Sequence, residues 1–100
     1  ERILRASLSV SPNGFTANSL LGTLYTRQAN FEMAESSLLL ALKFVSSLEK
    51  RGLSQQFETV GDGFMKNGDK RGAERSYRQA IALDGENQGL VGKLTKAQRA

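Results

Sequence analysis

The chain has 100 residues, of which 39% are hydrophobic and 24% are charged, and its formal net charge at pH 7 is +4. It contains one proline and neither histidine nor cysteine, so disulfides, thiol chemistry and the commonest general base and metal ligand are excluded. The composition suits a helical domain, and no apolar run approaches the length needed to cross a membrane.

The residue pattern predicts six helices, at residues 2–10, 11–28, 31–49, 53–67, 70–83 and 87–99. Ser11 is the expected N-cap of the second helix, with Pro12 in a tolerated first-turn position. Asn30 and Asp69 are good N-caps for the third and fifth helices, and Gly68 is a natural helix-ending residue. Because the pattern is already helical at the first residue, we expect the chain to be part of a longer protein.

One pattern of small and large residues occurs twice at identical offsets. The first copy starts at Gly22 and continues with Tyr25, Ala34, Leu38 and Ala41. The second starts at Gly61 and continues with Phe64, Ala73, Tyr77 and Ala80. In each copy the glycine falls on one helix and the two alanines on the next, so the two backbones can approach closely at a seam. Internal repetition at a few tens of residues indicates a solenoid.

Leu21 and Phe31 extend the first copy, and Phe57, Val60 and Gly68-Asp69 extend the second. With these residues included, both copies resemble a tetratricopeptide repeat. The repeat of that family is about 34 residues long. The two seam glycines here are 39 residues apart, so the joint between the copies holds five additional residues, roughly 49–53. Upstream, Leu4, Ser7-Leu8 and Ser11-Pro12-Asn13 resemble the end of a preceding repeat.

The resemblance implies an all-α fold in which antiparallel helical hairpins stack as a right-handed solenoid. Residues 1–100 then form a single domain, divided into a half repeat at 1–12, repeats at 15–48 and 54–87, and a capping helix at 88–100. In the capping helix Leu90, Leu94 and Ala97 share one face, whereas Lys93 and Lys96 are expected in solvent, as suits a terminal helix.

No catalytic site is expected from the sequence. Its serines have no candidate base nearby. Asp62 and Asp69 could pair as carboxylates for acid–base chemistry, but one is predicted on a helix face and the other as a cap. Gly61-Asp62-Gly63 lacks the preceding strand and third glycine of a phosphate loop. We therefore expect no enzyme activity, cofactor or metal.

The resemblance instead implies that the inner, concave face binds a peptide or a partner protein. The expected contact residues are Ser19, Thr23, Thr26, Arg27, Glu58, Asp62, Met65 and Lys66. One branch of the family clamps a C-terminal carboxylate with lysine and asparagine at positions held here by Ser19 and Thr23, which disfavours that ligand. The alternative is that all eight side chains are simply solvated.

Leu39 and Leu40 are a second candidate contact. Leu38 and its partners at helical spacing account for the core face of their helix, so the next two leucines cannot also lie there. Large exposed apolar patches usually mark contacts, which favours self-association or packing on the rest of a larger protein. The alternative is burial against the lengthened joint around Leu48 and Leu53.

Arg71, Arg75 and Arg78 recur on one predicted helix and could contact nucleic acid. Acidic residues lie among and beside them, and no aromatics interleave, so a solvated helix face is favoured over a phosphate-binding stripe. The sequence therefore predicts a non-catalytic protein–protein interaction module. The alternatives are an accessory or oligomerisation appendage of a larger protein that carries an enzyme elsewhere, and a weak binder of anionic polymers.

Overall fold

The computed structural model of the protein describes residues 14–99. These residues form five α-helices and no strand: α1 Gly14–Arg27, α2 Phe31–Leu42, α3 Lys50–Lys66, α4 Lys70–Leu83 and α5 Gln88–Gln98. The described chain is all-α, as predicted. The helix expected at 2–10, the half repeat at 1–12 and the cap formed by Ser11 and Pro12 lie outside the described residues.

The turns from α1 to α2 and from α3 to α4 have the same local geometry. The Asn30 side chain accepts a hydrogen bond from the backbone N–H of Met33, and the Asp69 side chain accepts one from Gly72, which confirms both predicted N-caps. The residue before each cap has a left-handed backbone, with φ of 58° at Ala29 and 82° at Gly68. The two caps are 39 residues apart, as are the two left-handed residues, so the turns repeat with the seam pattern.

Each helical pair meets at the predicted seam of small residues. A Cβ added to Gly22 would lie 2.5 Å from Leu38 Cδ2, and one added to Gly61 would lie 2.6 Å from Tyr77 Cε1. Further along the second pair, Phe64 lies against Gly72, so α3 and α4 run in opposite directions. The four seam alanines are fully buried: Ala34, Ala41, Ala73 and Ala80.

The two helical pairs share one apolar core. The rings of Phe31 on α2 and Phe64 on α3 have their centroids 6.0 Å apart. Leu53 and Phe57 on α3 and Leu90 on α5 have no exposed surface and belong to the same cluster of buried residues. Burial of large apolar side chains is the main stabilising contribution to such a fold.

The joint between α2 and α3 differs from the prediction. The third predicted helix was expected to continue to residue 49, but α2 ends at Leu42, and residues 43–49 form a non-helical joint with turns at 43–44 and 47–49. The backbone N–H and the hydroxyl of Ser46 both donate to Glu49 Oε1, at 3.1 and 2.8 Å. This closed turn leads directly into α3 at Lys50. Gly52 therefore lies in the first turn of α3 and not in the connection.

The last helix agrees with the predicted capping helix in its bounds and its apolar face. Asn87 is its N-cap, Leu90 and Ala97 are buried, and Leu94 packs against the core while partly exposed. The side chain of Lys93 is 39% exposed, and its ammonium also binds two carboxylates of α3, which the sequence analysis did not predict. None of the helices between residues 14 and 99 combines the length and apolar character needed to cross a membrane.

Candidate functional site

A polar network joins α1 to α3 through Gln56. Ser19 Oγ donates to Gln56 Oε1 at 2.7 Å. Gln56 Nε2 donates to the Ser19 carbonyl at 3.0 Å and to Thr23 Oγ1 at 2.8 Å. The side chain of Gln56 thus uses both of its polar atoms to hold the two helices side by side. Ser19 and Thr23, predicted to contact a partner, fix the spacing of these helices.

Beyond this network a groove of about 320 Å³ opens between α1 and α3, lined by Thr23, Thr26, Arg27, Gln56 and Thr59. The hydroxyls of Thr26 and Thr59 donate to carbonyls of their own helices, at 2.7 and 3.0 Å. Arg27 is exposed. The groove therefore has walls of threonine side chains and a cation at one end.

Between α3 and α5 a second network holds Lys93. Its Nζ donates to Glu58 Oε2 at 2.7 Å and to Asp62 Oδ2 at 3.0 Å. The other oxygen of Asp62 accepts a hydrogen bond of 2.6 Å from the hydroxyl of Tyr77. Glu58 and Asp62 are both predicted contact residues, but their carboxylates already accept hydrogen bonds from Lys93, and these hydrogen bonds hold α5 against α3.

These contacts change the proton affinities of two groups. The hydrogen bond that Lys93 donates to Glu58 raises the pKa of Lys93, Asp62 adds to that effect, and partial burial opposes it. Burial is the largest cause that raises the pKa of Tyr77, and the hydrogen bond to Asp62 adds to it. Lys93 is therefore a cation and Tyr77 a neutral donor across the physiological range of pH.

A second groove, of about 230 Å³, lies beside this network and is lined by Asp62, Met65, Tyr77, Lys93 and Lys96. Met65 is partly buried, and Lys96 is exposed. Lys66 is exposed on α3, one helical turn after Asp62, and lines neither groove. The second groove resembles the first in having walls on two parallel-running helices, here α3 and α5, and a cation at its edge, and Tyr77 of α4 adds to its lining.

The two grooves lie on one surface, on either side of α3. Thr59 of the first groove and Asp62 of the second are three residues apart and share a side of that helix. The repeat also relates the grooves, because Thr23 and Thr26 line the first and the residues 39 positions later, Asp62 and Met65, line the second. Repeat-equivalent positions therefore form neighbouring grooves.

The sequence analysis missed the residues that the following helix contributes to each groove. These are Gln56 and Thr59 in the first groove, and Lys93 and Lys96 in the second. The sequence did contain a signal for Lys93 and Lys96. Lys93 and Lys96 follow Thr59 and Asp62 by 34 residues, the repeat length of the resembled family, so extending the repeat to α5 would have placed them on the same surface.

A further cavity of about 280 Å³ lies at the two hairpin turns, lined by Ala29, Asn30, Phe31, Glu32, Phe64, Asn67 and Asp69. The side chains of Asn30 and Asp69 already cap α2 and α4. These two polar side chains are therefore already used in starting α2 and α4.

Leu39 and Leu40 lie at the surface, with 38% and 46% of their area exposed. Phe44, just beyond the end of α2, is 56% exposed. The joint does not cover these side chains, since Leu48 is 95% exposed while Leu53 is fully buried in the core. The structure thus has exposed apolar side chains at the end of α2 and in the joint.

Two of the three arginines on α4 are paired with carboxylates. Arg75 forms two hydrogen bonds with the mostly buried Glu35 of α2, at 3.0 and 3.1 Å, and this contact raises the pKa of Arg75. Arg78 lies 2.7 Å from Glu74 on its own helix. The arginine row therefore serves largely to neutralise acidic residues of the same molecule.

Within residues 14–99 no group of three or more histidine, cysteine or acidic side chains is placed to hold a metal ion. No protein-family model and no curated protein matches the chain.

Proposed function

We propose that the chain is a non-catalytic protein–protein interaction module of the tetratricopeptide-repeat type, and that it binds an extended segment of a partner protein in the grooves beside α3. The observation that carries this proposal is that repeat-equivalent residues line two neighbouring grooves on one surface. An arrangement of this kind suits a ligand long enough to cross both grooves, because an extended chain presents side chains at regular intervals.

The contacts between helices support a solenoid arrangement. Along α1 and α3, Ser19 is bonded to Gln56, and Thr26 shares a groove with Thr59. The later residue of α1, Thr26, thus lies beside the later residue of α3, Thr59, so the two helices run in the same direction. In stacked hairpins the first helix of each hairpin is expected to run this way and to line a common surface.

The groove walls are held in place before any ligand binds. Gln56 fixes α1 to α3, while Lys93 fixes α5 to α3 through Glu58 and Asp62. A preformed site loses less conformational entropy on binding than a mobile one, and this favours affinity for a flexible peptide.

Selection from a displayed library of random peptides tests the proposal, with affinities measured afterwards by fluorescence anisotropy. Thr26→Phe fills the first groove and Met65→Trp fills the second, each without a change of charge. Ser36→Phe on the exposed side of α2 is the matched control. Selected peptides should bind the wild type and the control alike and should lose affinity for both groove variants. Equal affinity for all four proteins would contradict the proposed site.

A second candidate function is that of an accessory or oligomerisation appendage in a larger protein. The observation in its favour is the exposure of Leu39, Leu40 and Phe44 within six residues of one another. Clustered exposed apolar side chains usually mark a surface that another protein covers. The mass of the chain in solution, measured on wild type and on leucine variants, decides between self-association and a monomer.

A further inference from the structure

Three of the helices with side chains in the grooves, α1, α3 and α5, each carry a cation in the last turn. These are Arg27 on α1, Lys66 on α3 and Lys96 on α5, whereas the last turns of α2 and α4 contain no basic residue. A cation in the last turn stabilises any helix through its dipole, and that effect would apply equally to α2 and α4. Lys43 follows α2 directly as its C-cap, so the helix dipole alone can account for a cation at a helix end. Arg27, Lys66 and Lys96 differ from Lys43 in that their three helices share the groove surface.

The three cations lie at the same end of this surface. α1 and α3 run in the same direction, as their contacts through Gln56 and Thr59 show. Helices α3 and α5 also run in the same direction. Lys93 contacts Glu58, and Lys96, which follows Lys93 on α5, shares a groove with Met65, which follows Glu58 on α3. The C-terminal ends of the three helices thus form one edge, and we call Arg27, Lys66 and Lys96 the cation row.

The acidic residues of the surface do not neutralise this row. Glu58 and Asp62 are bonded to Lys93, and Asp62 also accepts from Tyr77. Among residues 14–99 no carboxylate forms an ion pair with any member of the cation row. Within the described part of the chain, the groove surface therefore combines carboxylates that already have partners with cations that form no ion pair.

We propose that the occupant of the grooves is an acidic segment of a partner protein, bound as an extended chain with carboxylates about three residues apart. This inference rests on the proposed function and names the chemistry of the partner. Packed helix axes are about 8–10 Å apart, and an extended chain in the polyproline II conformation advances about 3.1 Å per residue with three residues per turn, so that every third side chain lies on the same side. Carboxylates at every third position would therefore meet successive cations as the segment crosses α1, α3 and α5.

The surface suits a peptide better than a nucleic acid. Sequence-tolerant binding of single strands depends on aromatic side chains on which bases stack. The groove linings of the described chain contain one aromatic residue, Tyr77, which is 2% exposed. Threonine and methionine walls instead suit the small and aliphatic side chains that separate the carboxylates of a peptide.

The test uses fluorescein-labelled peptides of equal length and measures their affinity for the chain by anisotropy. The first has glutamate at every third position among serine and alanine, the second has glutamine in place of glutamate, and the third has the same glutamates clustered at one end. A labelled oligothymidine is the nucleic-acid probe. The spaced acidic peptide should bind most tightly, and its affinity should fall as salt is added.

Removal of the cation row should weaken this binding. The triple variant Arg27→Gln, Lys66→Gln, Lys96→Gln should lose about tenfold in affinity for the spaced peptide, as expected for three exposed charge contacts. The matched control Lys43→Gln, Arg51→Gln, Arg71→Gln removes three exposed cations elsewhere and should change the affinity by less than about twofold, since distant surface charges are screened. A peptide whose central glutamate is changed to lysine should bind the Lys66→Glu variant more tightly than it binds the wild type.

The outcomes separate this inference from the function on which it rests. If the glutamine peptide binds as tightly as the spaced acidic peptide, and Thr26→Phe abolishes this binding, the peptide site is supported but the proposal of an acidic partner is overturned. Equal loss in the two triple variants, or tighter binding of oligothymidine that depends on the cation row, would also overturn it. If neither the spaced peptide nor any library peptide binds, the proposed function fails as well.

Discussion

Gly61 of α3 lies against the ring of Tyr77 on α4, so closely that a Cβ at position 61 would be 2.6 Å from Tyr77 Cε1. The hydroxyl of the same tyrosine donates to Asp62, which in turn holds Lys93 of α5. Tyr77 therefore joins the seam of one hairpin to the polar network at the second groove. A substitution at the seam that moves Tyr77 should therefore also change the position of Asp62 at the second groove.

Gly61→Ala should destabilise the protein, because the new methyl group can be accommodated only if the buried Tyr77 ring moves. Overpacking of this kind costs about 1–3 kcal/mol. The free energy of unfolding in urea, followed by circular dichroism, measures the change.

Gly52→Ala is the matched control for this substitution. Gly52 lies in the exposed first turn of α3, and a Cβ there would meet nothing within 4 Å. Alanine should therefore stabilise the protein by about 0.5–1 kcal/mol through helix propensity. The same sign of change for both variants would contradict the close seam.

The left-handed backbone before each N-cap predicts opposite effects at two equivalent positions. Ala29 has φ of 58° and Gly68 has φ of 82°, a region in which a Cβ costs about 1–2 kcal/mol. Ala29→Gly should raise the free energy of unfolding by about 0.5–1 kcal/mol, since glycine removes the clash but loses more backbone entropy. Gly68→Ala should lower it by about 1 kcal/mol. Thermal unfolding midpoints that shift in the reverse order would exclude this turn geometry.

The features that depend on local residue pattern were predictable from the sequence. The seam glycines and alanines, the caps Asn30 and Asp69, and the bounds of α4 agree with the structure. Each of these is determined by residues within one hairpin, where the spacing of small side chains and the chemistry of helix ends limit the possible conformations.

The joint and the groove contacts were harder to predict. The apolar run before Lys43 continues into Phe44 and Val45, which suggested a longer helix, yet the chain turns at Ser46 because Glu49 bonds back to it. The contact between Lys93 and Glu58 joins different repeats, so it depends on tertiary packing that no local pattern encodes.

Two buried serines should respond differently to alanine. Ser54 Oγ donates to the Ala80 carbonyl at 2.8 Å, whereas the buried Ser76 Oγ has no hydrogen-bond partner within the described chain. Ser54→Ala should cost about 1 kcal/mol, the net contribution of one hydrogen bond. Ser76→Ala should stabilise by about 1 kcal/mol, because an unsatisfied hydroxyl leaves the core. Urea unfolding of both variants decides this, and a loss of stability at position 76 would point to a partner for that hydroxyl.

The raised pKa of Tyr77 predicts a loss of stability at alkaline pH. Its ordinary value is 10.0, and burial together with Asp62 places the folded value higher. Between the two values the unfolded chain releases the phenolic proton while the folded protein keeps it, so stability is complete below about pH 10 and falls as pH rises toward the folded pKa. The absorbance of tyrosinate in a Tyr25→Phe variant, where Tyr77 is the remaining tyrosine, should titrate above pH 10.

Asp62→Asn tests the electrostatic part of this shift. Removal of the carboxylate should lower the pKa of Tyr77 toward its ordinary value without reaching it, because burial remains. An unchanged titration would show that Asp62 does not contact the phenol, and titration at the ordinary value in the Tyr25→Phe protein would show that Tyr77 is not buried.

Leu39→Lys combined with Leu40→Lys tests the apolar surface at the end of α2. Because these leucines are 38% and 46% exposed, the double substitution should preserve helicity and shift the unfolding midpoint only slightly, as surface changes usually do. If the leucines form a contact between copies of the chain, wild type should have a concentration-dependent mass by light scattering, and the variant should be monomeric. Met33→Lys, at another exposed apolar position of α2, is the control. A large drop in the unfolding midpoint with unchanged mass would show that Leu39 and Leu40 are core residues, because two charges would then have entered an apolar site.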